Sequence, residues 1–194
     1  MFERLAALLL LTLVLPVMVL AALTLWIVSG RSPLIAHRRV GWQGADLWML
    51  KLRTMWGGSD PAGSWIEHIQ DETGPQLKGA RDPRVRSRFA RFCRRHSLDE
   101  LPQLWHVVIG EMSLVGPRPM TARELRRHYG ADTAEILSVK PGLAGLWQVS
   151  GRNRLTYPER RHLDLKLVRE RNLAMYFSIL LRTVPEVVSG ENSW

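Results

Sequence analysis

The chain has a single cysteine, Cys93, in 194 residues. One thiol excludes an internal disulfide and any zinc site built on paired cysteines. Histidine supplies no metal pattern either, because His37, His68, His96, His106, His128 and His162 are scattered without ligand spacing. Acidic residues are in deficit, 18 against 27 Lys and Arg, giving a formal charge of +9 and a pI of about 10.7. That balance points to an anionic partner: nucleic acid, acidic lipid or a phosphorylated substrate. There is no internal repeat and no low-complexity tract, and the length suits one domain with an appendage.

What is present begins with a greasy N-terminus. Leu5 to Val28 carries no charge and is nearly all Leu, Val and Ala. A transmembrane helix needs roughly 20 such residues. A cleaved signal peptide has a shorter apolar region, about 7–15 residues, before a small-residue cleavage site. Here Trp26-Ile27-Val28-Ser29-Gly30-Arg31 follows instead. Pro16 sits near the middle and removes a backbone hydrogen bond. Two readings stand: a spanning helix with a tolerated kink, or a re-entrant helix that turns back and leaves both ends on one face. Arg4 precedes the run, and Arg31, Arg38, Arg39, Lys51 and Arg53 follow it. Positive charge on both flanks suits two cytoplasmic ends.

In the soluble part, Gly41-Trp42-Gln43-Gly44 reads as a hairpin turn, with Leu47 to Leu52 as the return strand. The spacing predicts loops over 57–63 and 74–79 and a short helix over 64–71. Asp82 can cap a helix with Pro83 at its first position, running to about Arg95. Val85, Phe89, Phe92 and Cys93 would form its apolar stripe, and its arginines a solvated face, a lipid-headgroup face or a phosphate site. Further helices are expected from about Asp99 to Ile109, at Thr121–Tyr129, at Asp132–Val139 and from Pro158 to Val188. The last breaks near Asn172 and again at Pro185. Lys140-Pro141-Gly142 is a turn. Leu173 to Leu181, apolar on most faces, is either core or a second interfacial element.

The chemistry concentrates at Ser97-Leu98-Asp99-Glu100-Leu101-Pro102-Gln103 and Val115-Gly116-Pro117-Arg118-Pro119. Ser97 with Glu100 three residues on reads as a capping box, and acids in a first turn suit the helix dipole. Pro102 fits poorly with Ser97 as cap but loses nothing with Asp99 as cap. The alternative is that the two acids react. A carboxylate can attack a phosphoryl centre and form an acyl phosphate. Cations must then neutralise the gathering negative charge, and the second carboxylate can hold Mg²⁺ through oxygen. Arg118 between two prolines is either a stiff phosphate clamp or a solvated turn residue. Gly145, Gln148, Gly151 and Arg152 form a second cluster that could approach a phosphate.

Together these residues resemble the bacterial sugar transferase family, the monotopic phosphoglycosyl transferases. The resemblance runs through Arg39-Val40-Gly41, Lys51-Leu52-Arg53-Thr54-Met55, Asp82-Pro83-Arg84 and Ser97 to Leu104. It continues in Met112 to Pro119, Lys140-Pro141-Gly142, Gln148 to Asn153 and Leu181-Arg182-Thr183-Val184. With the patterning above, the expected architecture is α+β and mainly helical. Residues 1–30 form a re-entrant membrane helix. Residues 31–194 form one compact cytoplasmic domain with a small β-hairpin and interfacial amphipathic helices. The family's helix breaks at a Ser-Pro pair, matched here by Leu15-Pro16, where the proline persists without the serine hydroxyl.

The resemblance implies transfer of a sugar-1-phosphate from a UDP-sugar to a polyprenyl phosphate such as undecaprenyl phosphate, releasing UMP, in two steps with Mg²⁺. It makes Asp99 the nucleophile and Glu100 the residue that helps bind Mg²⁺ and orient the donor. Arg94 and Arg118 contact phosphate or the dyad, and Lys51, Arg53 and Arg152 are further candidates. It places the protein on the cytoplasmic face of the bacterial inner membrane, with the lipid bilayer as a partner and a homodimer left open. The chain looks like a nearly minimal catalytic form, closest to hexose-1-phosphate transferases that prime exopolysaccharide. Rival readings are a membrane-tethered nucleic-acid binder, which has little need of the dyad, a non-catalytic scaffold, and a hydrolase that fails to exclude water.

Overall fold

The uncharged N-terminal run folds as a single element. In a computed structural model, which describes residues 1–56, 65–70, 83–151 and 154–190, helix α1 covers Phe2–Ser29. Its 28 residues extend about 42 Å. Gly30 ends it in the left-handed conformation at φ 65°, with its N–H on the Trp26 carbonyl. The break expected at Leu15-Pro16 does not interrupt the helix, since Pro16 lies inside it. A proline deletes one backbone bond and bends the axis, and the neighbouring bonds carry the helix past it.

Ala7, Ala21 and Leu25 are the buried residues of α1, and their spacing puts them on one stripe. Leu9, Leu13, Leu20 and Ile27 stand among its exposed side chains. Both ends of the helix rest on the remainder of the fold. Near the N-terminus, the Glu3 carboxylate accepts from Ser113 Oγ at 2.7 Å and Tyr176 OH at 2.6 Å. The Arg4 guanidinium donates to the carbonyls of Val108 at 2.7 Å and Ile109 at 2.8 Å. Near the C-terminus, Ala21 and Leu25 pack with Leu52, Trp56, Val85 and Ala90.

The expected hairpin forms. Strands β1 (Leu34–Val40) and β2 (Asp46–Leu52) pair antiparallel, with Leu34 opposite Leu52 and Val40 opposite Asp46. Gln43 at φ 54° and Gly44 at φ 83° tighten the turn. Strand β3 (Ile66–Ile69) adds parallel to β1, giving the order β2-β1-β3. This corrects the short helix expected over 64–71. The open edge of β1 captures the segment, which Arg53–Glu67, Trp48–His68 and Trp26–Trp65 contacts then pin. Such tertiary contacts override weak local propensity. The loops expected over 57–63 and 74–79 lie outside the described residues.

Helix α2 covers Arg88–Arg95, starting later than expected, with Ser87 as its cap: Ser87 Oγ accepts from Ala90 N at 2.9 Å, and Asp82 lies outside the described residues. Residue 84 is held instead in a turn by Trp56 N donating to the Arg84 carbonyl at 2.9 Å. Ala90 and Cys93 are its buried residues, while Phe92 faces outward. A tight 3₁₀ turn, Leu98–Gln103, leads into α3 (Leu104–Ile109). Leu104 and Val107 of α3 pack with Leu47 and Met49 of β2 and Ala7 of α1, so the main core lies between sheet and helices.

Strand β4 (Ser113–Val115) pairs parallel with β5 (Gly142–Ala144). Between them lie α4 (Ala122–Glu124), boxed by Thr121 and Glu124 and continued by a wide turn to Tyr129, and α5 (Thr133–Leu137). Helix α6 (Tyr157–Glu170) ends before Asn172, as expected, and Asn172 Oδ1 caps α7 (Leu173–Ser189) at Met175 N. Pro185 does not break α7. Buried Ile179 anchors the helix upstream, and the Val187 carbonyl meets His96 downstream.

Candidate active site

Ser97 turns the chain sharply after α2. Its φ of 53° is uncommon for a residue with a Cβ. Its hydroxyl makes no cap bond, and the Glu100 side chain runs elsewhere, so the capping box suggested by the spacing does not form. Asp99 is 8% exposed and Glu100 half-buried.

Lys51 extends from β2, and its Nζ lies 2.6 Å from Glu100 Oε1. Arg118 Nη2 reaches the same oxygen at 3.6 Å. One carboxylate oxygen therefore sits between two cations with side chains only 13% and 23% exposed. Burial drives the Lys51 ammonium below its ordinary pKa, and Glu100 opposes this most strongly.

Two glycines aim Arg118. The Gly116 N–H donates to the Ala144 carbonyl at 2.9 Å, and the Gly142 N–H to the Pro117 carbonyl at 2.8 Å. A Cβ on Gly142 would meet Gly116 N at 2.0 Å. Only bare backbone permits this approach, and it fixes the turn from which Arg118 projects.

The structure thus brings Asp99, Glu100, Lys51 and Arg118 together. Arg94 lies on α2 beside them: its Nη1 is 3.4 Å from Thr54 Oγ1, and its buried Nε has no hydrogen-bond partner. The thiol of neighbouring Cys93 is pushed up to about 11 by burial and then by the charge of Asp99. Arg53 goes elsewhere. It is buried, donates to the Ser32 carbonyl at 2.8 Å and pairs with Glu67, clamping β3. Arg152 lies outside the described residues.

Two supporting groups were not singled out from sequence. His106 accepts from Leu50 N at 3.1 Å through Nε2, so its Nδ1 carries the proton and donates to Glu111 at 2.7 Å. This braces β2 one residue before Lys51. Asp164, fully buried on α6, accepts from Tyr129 OH at 2.7 Å, while its Oδ1 has no partner. Burial raises its pKa to about 7, against the pull of Tyr129, Arg118 and Arg160. The available signal was an acid on the same helical stripe as Leu167, where an apolar residue belongs.

Among the described residues no group of three or more His, Cys, Asp or Glu side chains could hold a metal. The dyad offers two hard carboxylates. That set fits Mg²⁺, which keeps several waters and takes its remaining ligands from substrate phosphates.

A profile described as bacterial sugar transferase matches residues 1–190. The chain is 39% identical over 202 residues to the UDP-galactose-lipid carrier transferase of Erwinia amylovora, covering all of this chain and 41% of that protein. It is 36% identical over 197 residues to exopolysaccharide production protein ExoY of Rhizobium meliloti (strain 1021), covering all of this chain and 86% of that one. It is 38% identical over 172 residues to the undecaprenyl-phosphate galactose phosphotransferase of Salmonella typhimurium, covering 86% of this chain and 35% of that protein. The chain spans about two fifths of the Erwinia relative's length and most of ExoY's. A match from end to end, over a fold that gathers the acidic pair and its cations, means that the chain belongs to the bacterial sugar transferase family.

Proposed function

We propose that this protein transfers a hexose-1-phosphate from a UDP-sugar to undecaprenyl phosphate, releasing UMP, and so begins assembly of an exopolysaccharide. The observation that carries the reading is the Asp99–Glu100 pair seated against Lys51 and Arg118. The relatives' names, which speak of lipid-carrier and undecaprenyl-phosphate sugar transferases, support it.

In the first step a carboxylate oxygen of Asp99 attacks the phosphorus that bears the sugar. A P–O bond forms, the bond to the second phosphate breaks, and UMP leaves with that electron pair. In the second step a phosphate oxygen of undecaprenyl phosphate attacks the same phosphorus and restores the Asp99 carboxylate. Arg118 and Arg94 neutralise the anionic diphosphate. Lys51 holds Glu100 in place. Glu100, with Asp99, would hold Mg²⁺, which when bound lowers the repulsion between carboxylate and diphosphate.

The same reading places α1 in the cytoplasmic leaflet, not across the bilayer. A helix crossing upright would carry one end about 40 Å from the domain, whereas Glu3 and Leu25 both touch it. Leu173, Phe177, Leu181, Val184 and Val188 form an exposed stripe along α7 that suits the same lipid surface. Purified protein in detergent with Mg²⁺ and a panel of UDP-sugars tests the chemistry. UMP release is expected from wild type and lost in Asp99→Asn. Release by that variant at the wild-type rate would overturn the reading.

A further inference from the structure

A cavity of about 660 Å³ opens between the N-terminal ends of α1 and α7. None of Asp99, Glu100, Lys51, Arg94 or Arg118 lines it. Its volume is in the range of small-ligand sites, about 300–1,000 Å³. Val115, Leu167, Val168 and Met175 give it an apolar floor, and Lys140 and Arg171 stand in its lining as cations.

The charges are arranged for an anion. Lys140 lies over the Trp42 ring at 5.5 Å, and among the described residues neither Lys140 nor Arg171 is in an ion pair. The acid in the lining, Glu3, is already engaged by Ser113 and Tyr176. The cavity also borders the apolar surfaces assigned above to lipid: Leu173 lines it and is 77% exposed, and Phe2, beside Glu3, is equally bare. A soluble anion has no use for the apolar floor, and a neutral lipid none for the two cations.

We propose that this cavity holds one anionic phospholipid of the surrounding bilayer, its phosphate between Lys140 and Arg171 and an acyl chain along Val115, Leu167, Val168 and Met175. The acceptor is a poorer occupant, because its phosphate must meet Asp99, which is not in the lining. Gly116 and Pro117 do line the cavity. A seated lipid therefore braces the turn that aims Arg118, and membrane composition adjusts the active site through it. The inference rests on the membrane placement proposed above.

The test uses the full chain in phosphatidylcholine vesicles with or without phosphatidylglycerol. Flotation first checks attachment. Mass spectrometry of the gently released protein then counts retained phospholipids, a readout that needs no turnover, so catalysis and lipid binding fail separately. Wild type should keep one phosphatidylglycerol per chain and little phosphatidylcholine. Lys140→Gln/Arg171→Gln should float normally and retain phosphatidylglycerol about thirtyfold less, the effect of two cations near an anionic lipid. Met175→Trp, which fills the floor and keeps the charges, should also lose it. Equal retention of the two lipids, unchanged retention in the double variant, or one-for-one displacement by undecaprenyl phosphate would overturn the proposal. A wild type that does not float overturns the membrane placement as well.

Discussion

Replacing Gly142 with alanine adds one carbon where the backbone leaves no room. The new Cβ would lie 2.0 Å from Gly116 N, 2.5 Å from its Cα and 2.6 Å from its carbonyl oxygen. Carbon contacts are comfortable near 3.5–4.0 Å, so β4 and β5 must separate by more than an ångström. Three backbone bonds then break: Ser113 N to Pro141 O, Gly116 N to Ala144 O and Gly142 N to Pro117 O. At about 1 kcal/mol for each bond, and more where a group stays buried and unpaired, the loss is roughly 3–5 kcal/mol. That is a large share of a typical stability of about 5–15 kcal/mol. The same shift moves Arg118 away from Glu100, and a displacement of about 1 Å can cost on the order of a hundredfold in rate. Thermal unfolding in detergent and UMP release would be measured on the same preparation. Gly142→Ala with wild-type unfolding and turnover would refute the claim that this glycine contact positions Arg118.

Three further outcomes follow from the packing. Glu100→Gln leaves the Lys51 ammonium buried without its strongest counter-charge and should destabilise the fold by about 3 kcal/mol, whereas Lys51→Met/Glu100→Gln should recover most of that. Additive losses in denaturant unfolding would show that the pair is not coupled. Asp164 has its carboxyl raised from an ordinary 3.8 to about 7, so the folded state binds the extra proton. Stability should fall as pH rises from about 4 to 7 and level off above. Asp164→Asn should abolish that slope and gain up to roughly 4 kcal/mol above neutrality, and parallel unfolding curves for the two proteins across this range would rule the assignment out. Finally, a cysteine in a short polar tag ahead of Met1 and Arg31→Cys should both react with a membrane-impermeant maleimide from the same side, against a background kept low by buried Cys93. Labelling from opposite sides would mean that α1 spans the bilayer.

The sequence was most legible where a local pattern and the final packing agree. Gly41 to Gly44 between alternating residues announced the hairpin, and the charge-free run from Leu5 to Val28 announced α1. The acidic pair and the proline-flanked arginine pointed to each other across the chain, and the fold brings them to 3.6 Å. Legibility failed where distant partners decide. Strand β3 exists because the edge of β1 and the Arg53–Glu67 pair capture it, and that pair also draws Arg53 away from the dyad. Three-residue strands β4 and β5 carry too little pattern to announce a parallel pairing across a long connection. Ser87 starts α2 because the backbone at residue 84 is already bonded to Trp56. Pro185 misled, since it lies inside a helix that continues past it.

The central claim is that an oxygen of Asp99 becomes bonded to the sugar-bearing phosphorus. Intact-protein mass spectrometry after mixing enzyme, Mg²⁺ and the preferred UDP-sugar without acceptor tests it directly. Wild type should gain the mass of one phosphosugar, lose it when undecaprenyl phosphate is added, and gain none as Asp99→Asn. An adduct of unchanged yield on Asp99→Asn, or steady turnover by wild type with no adduct at any time, would contradict it.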